Sequence, residues 1–308
     1  MLEVRDLHKV YGDKTAVQSI SFKVERGEFY SLLGPNGAGK STTLSILSTL
    51  LKPSSGTVLI DGIDVVKEPL SIRKMIGVVP QEIALYEDLS AFDNLMFFGS
   101  LYPMGKNDLR IRVNTLLGDF GLSDRAHDKI RTYSGGMKRR INIAAALLHD
   151  PKLLFMDEPT VGIDPQSRNN IYEAISRLKN EGKTILYTTH YMEEAEKFSD
   201  RIGIIDKGKI IAEGTLRELI SMGDVQEEII VHSETISSFE HQEFQLNEHI
   251  QVKGTSDALH FTCKDLRSSL PAIMNFCFEK GIVIRTIDVR YSNLESVFLS
   301  LTGNKLRD

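Results

Sequence analysis

Nine consecutive residues carry the first chemistry this sequence offers: Gly34, Pro35, Asn36, Gly37, Ala38, Gly39, Lys40, Ser41 and Thr42. They match G-x-x-x-x-G-K-[S/T]. In that pattern, glycines let main-chain N–H groups curl around phosphate oxygens and the lysine reaches the β- and γ-phosphates. A helix starting at the end of the loop adds the positive partial charge of its N-terminus, and Ser41 would hold Mg2+. Chance alone would produce the pattern in roughly one chain of this size in a hundred. The expected ligand is a nucleotide.

A second feature lies at the end of an apolar run, residues 153–156, which stops at Asp157 and Glu158. Alone, such a pair is an ordinary solvated loop start. Downstream of a phosphate loop, an Asp at a strand end assists magnesium. Glu158 is then placed to orient or deprotonate a water attacking the γ-phosphate. Neighbours on a strand point to opposite faces, so the two carboxylates are expected to face apart and do different work. Cys263 and Cys277 are too few for a disulfide framework or a zinc cluster and read as reduced, buried thiols.

These groups need a scaffold. A strand over residues 28–33 enters the glycine loop, and a helix over 41–51 leaves it, stopping before Pro53. Further strands are expected at 2–5, 20–24, 57–60, 76–79, 153–156, 184–188 and 202–205, with helices ending at 148 and spanning 166–180 and 192–198. Such alternation implies a parallel α/β sheet. Residues 91–101 and 109–120 carry apolar positions at three- and four-residue spacing, so 87–132 reads as a helical insertion. A boundary is expected near 221–224. Beyond it, strands at 227–232, 250–253, 258–263 and 282–289 and helices at 266–280 and 293–301 make a small α+β domain. The division is therefore 1–220 and 221–308.

Composition narrows the classes. In 308 residues, 41% hydrophobic and 26% charged, Lys+Arg 37 against Asp+Glu 42 leaves a net charge of −5. That suits a folded globular chain and argues against a large nucleic-acid surface. No segment offers the ~20 apolar residues that span a bilayer, and the start, Met-Leu-Glu-Val-Arg, does not read as a signal peptide.

Several further segments now fall into order with the first two. Val78-Val-Pro-Gln81 stands before the insertion, Tyr133-Ser-Gly-Gly-Met137 after it, Val161-Gly-Ile-Asp164-Pro165 beyond the acidic pair, and Thr188-Thr-His190 at a strand end. Over roughly residues 1–220 this series resembles the nucleotide-binding subunit of an ATP-binding cassette (ABC) transporter. The resemblance implies a P-loop NTPase core with an antiparallel β subdomain and a helical insertion. It implies ATP as the nucleotide, with Mg2+ held by Ser41, Gln81 and Asp157. It makes Glu158, His190 and Gln81 the catalytic group and Tyr11 the ring that stacks on adenine. Ser134, Gly135, Gly136, Met137 and Asp164 would meet the nucleotide of a second subunit, so that hydrolysis needs a head-to-tail dimer. Bottom-up, Ser134 reads as a helix N-cap, and two successive glycines behind it suggest a close backbone approach.

Three positions depart from the family pattern: Tyr133 for Leu, Met137 for Gln and Val161 for Ser. None removes Lys40, Glu158 or His190, so an active ATPase is expected. The form around Tyr133 and the tail from Asn293 to Gly303 resemble drug- and antibiotic-resistance exporters of the ABC-2 type, such as those for daunorubicin and linearmycin. That implies separate transmembrane permease subunits, a second nucleotide-binding subunit and a place on the cytoplasmic face of the membrane. The insertion, residues 87–132, with apolar Phe92, Leu95, Phe97 and Phe98, is the expected docking surface, although a plain helical core would explain many of those residues and no individual contact is assigned. Lys138, Arg139 and Arg140 read first as a solvated helix face. Competing readings are a soluble ABC ATPase working on ribosomes or DNA, an exporter of ions or other cargo, and an ATP-binding regulator without turnover. The acidic charge and single cassette oppose the ribosome or DNA reading; Glu158 and His190 oppose the regulator.

Overall fold

The structure, a computed structural model, describes all residues except 223–226, 234–235, 237–238, 240, 292 and 303–308. It forms two compact units, dividing after Leu216. The expected boundary at 221–224 falls partly, and the expected helix stop at Gly303 wholly, outside the described residues.

In the first unit, β1 (Leu2–Tyr11) and β2 (Lys14–Val24) form a long antiparallel hairpin. Both are longer than periodicity predicts, because bulges interrupt the alternation between Val4 and Val10. β3 (Phe29–Leu33) is buried along its whole length and feeds the glycine loop, from which α1 (Lys40–Leu47) leaves. α1 ends earlier than expected, since Thr49 takes the left-handed conformation (φ 65) and exposes Leu50. β4 (Ser55–Ile60) and β5 (Ile63–Asp64) complete a four-stranded sheet, β2-β1-β4-β5. A short helix, α2 (Pro69–Arg73), precedes β6 (Ile76–Val79).

The insertion contains α3 (Ala91–Gly99) and α4 (Lys106–Asp119), and α5 (Gly135–Ala146) returns the chain to the sheet. Leu95 is fully buried and Phe92 and Phe98 are packed against the core, as a helical core requires, and of these four apolar residues only Phe97 is exposed. Then come β7 (Leu153–Asp157), α6 (Pro165–Asn180), β8 (Thr184–Thr189), α7 (Met192–Phe198), β9 (Arg201–Asp206) and β10 (Lys209–Gly214). The six-stranded sheet runs β10-β9-β3-β8-β7-β6, parallel except for β10. Its inner strands β3, β7 and β8 are buried on both faces, which is why they read as unbroken apolar runs.

α8 (Leu216–Met222) leads into the second unit. There β11 (Glu227–His232), β12 (Glu243–Asn247), β13 (Ile250–Gly254) and β14 (Ala258–Cys263) are followed by α9 (Leu266–Glu279), β15 (Thr286–Arg290) and α10 (Leu294–Thr302). The sheet order is β12-β13-β14-β11-β15, antiparallel throughout, over a core that includes Val252, Phe261 and Phe276. Cys263 and Cys277 are both free and buried there. The strand expected from residue 282 begins only at Thr286, because Ile282 is drawn into the core rather than paired.

Candidate active site

The loop between β3 and α1 is shaped by positions that exclude a side chain. Gly39 has φ 107, and a Cβ there would lie 2.6 Å from the Ala16 carbonyl oxygen; a Cβ on Gly34 would lie 2.1 Å from that of Ile205. Glycine is required at both. The loop is braced from outside the motif by the turn between β9 and β10. Gly208 N–H donates to Ala38 O at 2.9 Å, and Gln18 Nε2 donates to Lys207 O at 2.9 Å.

Lys40 is buried and doubles back. Its Nζ donates to Gly34 O at 2.7 Å and Pro35 O at 3.0 Å, and lies 3.0 Å from Glu158 Oε1. The other oxygen of that carboxylate, Oε2, lies 3.0 Å from His190 Nδ1. Glu158 itself adopts φ 42, strained for a residue with a side chain. Its N–H is held by Thr188 O and Thr188 Oγ1, both at 3.1 Å.

Asp157 sits one residue earlier. Its Oδ1 accepts from Ser41 Oγ at 3.2 Å and from Thr188 Oγ1. Burial raises its carboxyl above the ordinary range, those two hydrogen bonds oppose the rise, and the neighbouring Glu158 charge adds to it. The expectation that the two carboxylates face apart fails: both reach toward the loop. β7 ends at Asp157, and the left-handed turn at Glu158 cancels the strand alternation.

Around these groups lies a cavity of about 550 Å³. Tyr11, Asn36, Gly37, Gly39, Lys40, Ser41, Thr42, Gln81 and Glu158 line it. Lys14, Thr15, Ala16, Gln18 and Lys207 line it as well, and the sequence reading missed them. Their only sequence signals were the turns at Gly12-Asp13 and Lys207-Gly208. Tyr11 is exposed, with Lys9 Nζ 5.1 Å from its ring centre. Gly34, Pro35 and Ala38 shape the loop from behind and do not line the cavity. Asp157 and His190 reach it through Ser41 and Glu158.

Ser134, Gly135, Gly136, Met137 and Asp164 do not line that cavity. Ser134 caps α5, accepting from Met137 N–H at 3.3 Å, and Asp164 caps α6, accepting from Ser167 N–H at 2.9 Å. The close approach read from the paired glycines is real at one position only, and it is internal. A Cβ on Gly136 would lie 2.2 Å from Ser167 Cβ, whereas one on Gly135 would meet only Ile163 Cδ1 at 3.7 Å. Gly136 lets α5 and α6 touch, and Gly135 stays exposed.

The basic trio does not form a solvated face. Lys138 pairs with Glu87 at 2.6 Å, Arg140 donates to Phe120 O at 2.7 Å, and Arg139 is buried and donates to Pro80 O at 2.7 Å. A second feature was also missed: the buried Glu194 carboxylate accepts from Tyr187 OH at 2.9 Å, Thr189 Oγ1 at 2.7 Å, Tyr172 OH at 3.0 Å and Thr160 Oγ1. It joins the chain beyond Glu158 to the strand end before His190. Burial, with the Glu194 charge beside it, holds the Tyr187 hydroxyl far above its ordinary range.

Among the described residues, no cluster of three or more His, Cys, Asp and Glu side chains could hold a metal alone, and no helix is long and apolar enough to cross a membrane. The oxygens of Ser41, which lines the cavity, and of Asp157 behind it are of the kind a hard cation takes.

Residues 17–161 match the ABC transporter family. The linearmycin resistance ATP-binding protein of Bacillus subtilis is 45% identical over 100% of this chain and 100% of its own length. A daunorubicin resistance ATP-binding protein of Streptomyces coeruleorubidus is 37% identical over 99% of this chain and 97% of its own. Among solved structures, the dimeric post-hydrolysis state of an ATP-binding cassette bound to ADP and Pi superposes with a TM-score of 0.64. It is 31% identical and covers 70% of this chain and 98% of the other.

Proposed function

This chain belongs to the ABC transporter family as an ATP-binding, ATP-hydrolysing subunit, and on that premise we propose how its cavity works and what it drives. The carrying observation is the convergence of Lys40, Ser41, Gln81 and Glu158 on one cavity, with Tyr11 on its rim. Tyr11 offers a face for adenine, a contact worth about 1–3 kcal/mol that tolerates different bases. The loop amides and Lys40 take the phosphates. For Lys40 this means exchanging its carbonyls at Gly34 and Pro35 for phosphate oxygens.

Ser41, Asp157 and Gln81 would hold Mg2+ through oxygens of the kind a hard cation takes. Its chemistry there would be to neutralise charge on the phosphates. Glu158 orients the attacking water and takes its proton as the new oxygen–phosphorus bond forms. The bond between the γ-phosphorus and its bridging oxygen breaks, leaving ADP and phosphate. His190 is assigned the contact with the γ-phosphate, a role supported by its place against Glu158. Ser134 and Gly135, exposed and not lining the cavity of their own chain, serve the nucleotide of a second copy. Closure of the pair on ATP and reopening after cleavage give the work stroke.

The work drives an exporter of the ABC-2 type whose transmembrane subunits are separate chains, at the cytoplasmic face of the membrane. Its cargo is an antibiotic or related amphiphile, supported by the full-length likeness to two resistance proteins. Purifying the chain alone and with candidate multi-span membrane proteins co-expressed tests this. Recovery in the membrane fraction only with those partners, and antibiotic sensitivity on deletion, is the expected result. ATP-dependent sedimentation with ribosomes would sink it.

A further inference from the structure

The loop that carries Gln81 has no strand or helix of its own, yet its main chain is pinned. Arg139, one turn into α5 and 3% exposed, donates from Nη1 to Pro80 O at 2.7 Å and from Nη2 to Gln81 O. Its Nε has no partner among the described residues. Asn142, one turn further and also 3% exposed, donates from Nδ2 to Glu82 O at 3.5 Å and accepts from Ala84 N–H at 3.3 Å. Residues 80–84 are thus held on α5 by two buried side chains.

Burying a guanidinium against carbonyls rather than a carboxylate is costly. Burial indeed pushes its pKa below the ordinary arginine range. An apolar residue would fill the same space at less cost but would leave two carbonyls unpaired and the loop free. The fork geometry of the guanidinium fixes both carbonyls at once, which a lysine cannot do. Gln81 itself lines the cavity, as do Lys40 and Glu158. At the start of α5 stands Ser134.

We propose that Arg139, seconded by Asn142, is the positioning residue for Gln81: it clamps the 80–84 main chain to α5, so that Gln81 is presented to the cavity and moves together with the Ser134 end of the same helix. This rests on the reading of Gln81 as a contact of the Mg2+–ATP site.

The test uses the full chain, or its complex with membrane partners, in the variants Arg139→Lys, Arg139→Ala, Gln81→Ala and the double variant Arg139→Lys/Gln81→Ala. Hydrogen exchange without nucleotide should quicken at the amides of 81–84 in both Arg139 variants, while those of 143–146 keep their protection. Turnover should fall about tenfold or more, as expected for a misplaced contact, with the KM for ATP nearly unchanged. The double variant should be no slower than Gln81→Ala alone. Arg139→Lys keeps the charge and guards against a merely unfolded alanine variant. Unchanged exchange at 81–84, or losses that multiply in the double variant, would overturn the proposal. A wild-type chain without ATP turnover would sink the ATPase reading instead, leaving exchange to decide on the clamp.

Discussion

Lys40 Nζ and Glu158 Oε1 stand 3.0 Å apart, and each side chain is only 4% exposed. The cation of the glycine loop and the carboxylate proposed to activate water are thus paired with each other. Each is therefore a packing partner of the other as well as a member of the proposed chemistry.

Replacing Lys40 by Ala breaks this pair from one side. Removing one member of a buried pair costs roughly 3–5 kcal/mol, so thermal denaturation without ATP should come earlier. Binding of a fluorescent ATP analogue should weaken by about tenfold to a hundredfold, the worth of a charge-assisted contact. Undiminished binding would remove Lys40 from the phosphate site.

Glu158→Gln should behave differently, because the Gln amide oxygen still accepts from Lys40. The variant is expected to keep its melting temperature within a few degrees and bind ATP. It should accumulate a closed dimer that elutes earlier on size-exclusion chromatography, with turnover reduced about a hundredfold or more. A variant that stays monomeric with ATP and Mg2+ present would count against the shared-site mechanism.

Asp157 supplies a prediction about pH. Its carboxyl is raised by burial. A carboxyl raised on folding favours the fold while protonated, and that contribution is lost as pH rises through its folded value. At pH 7 the ionised group therefore weighs against the nucleotide-free fold. Asp157→Asn, which still accepts from Thr188, should raise the melting temperature at pH 7. The gain should shrink toward about pH 4, near the ordinary carboxylate range. Turnover with Mg2+ should be lost. Scanning calorimetry at the two pH values decides the first part; a lower melting temperature at pH 7 would contradict it.

The two glycines behind Ser134 separate packing from chemistry. Gly136→Ala meets Ser167 at 2.2 Å and should destabilise the chain by about 1–3 kcal/mol, as overpacking does. Gly135→Ala has room and should fold normally. If Ser134 and Gly135 serve a partner's nucleotide, Gly135→Ala should still lose turnover while binding one ATP per chain. Full turnover in that variant would separate this end of α5 from catalysis.

What was legible in the sequence was what is chemically local. The stretch from Gly34 to Thr42 could be read as a phosphate cradle because its function resides in its own backbone. Asp157 and Glu158 could be read because a strand end places adjacent carboxylates at the carboxyl end of the sheet. Those features sufficed for the α/β core and the triphosphate chemistry, and the order of the remaining motifs sufficed for the family. Tertiary structure decided what depends on distant partners. It turned Glu158 toward Lys40 through a single left-handed residue, and it buried Leu95. It put Gly136 against Ser167, and it converted Arg139 from a charge in a basic run into a clamp on Pro80 and Gln81. The reason is physical: a side chain's type and its neighbours in sequence set which bonds it can form, but burial and the arrival of partners many residues away set which it does form.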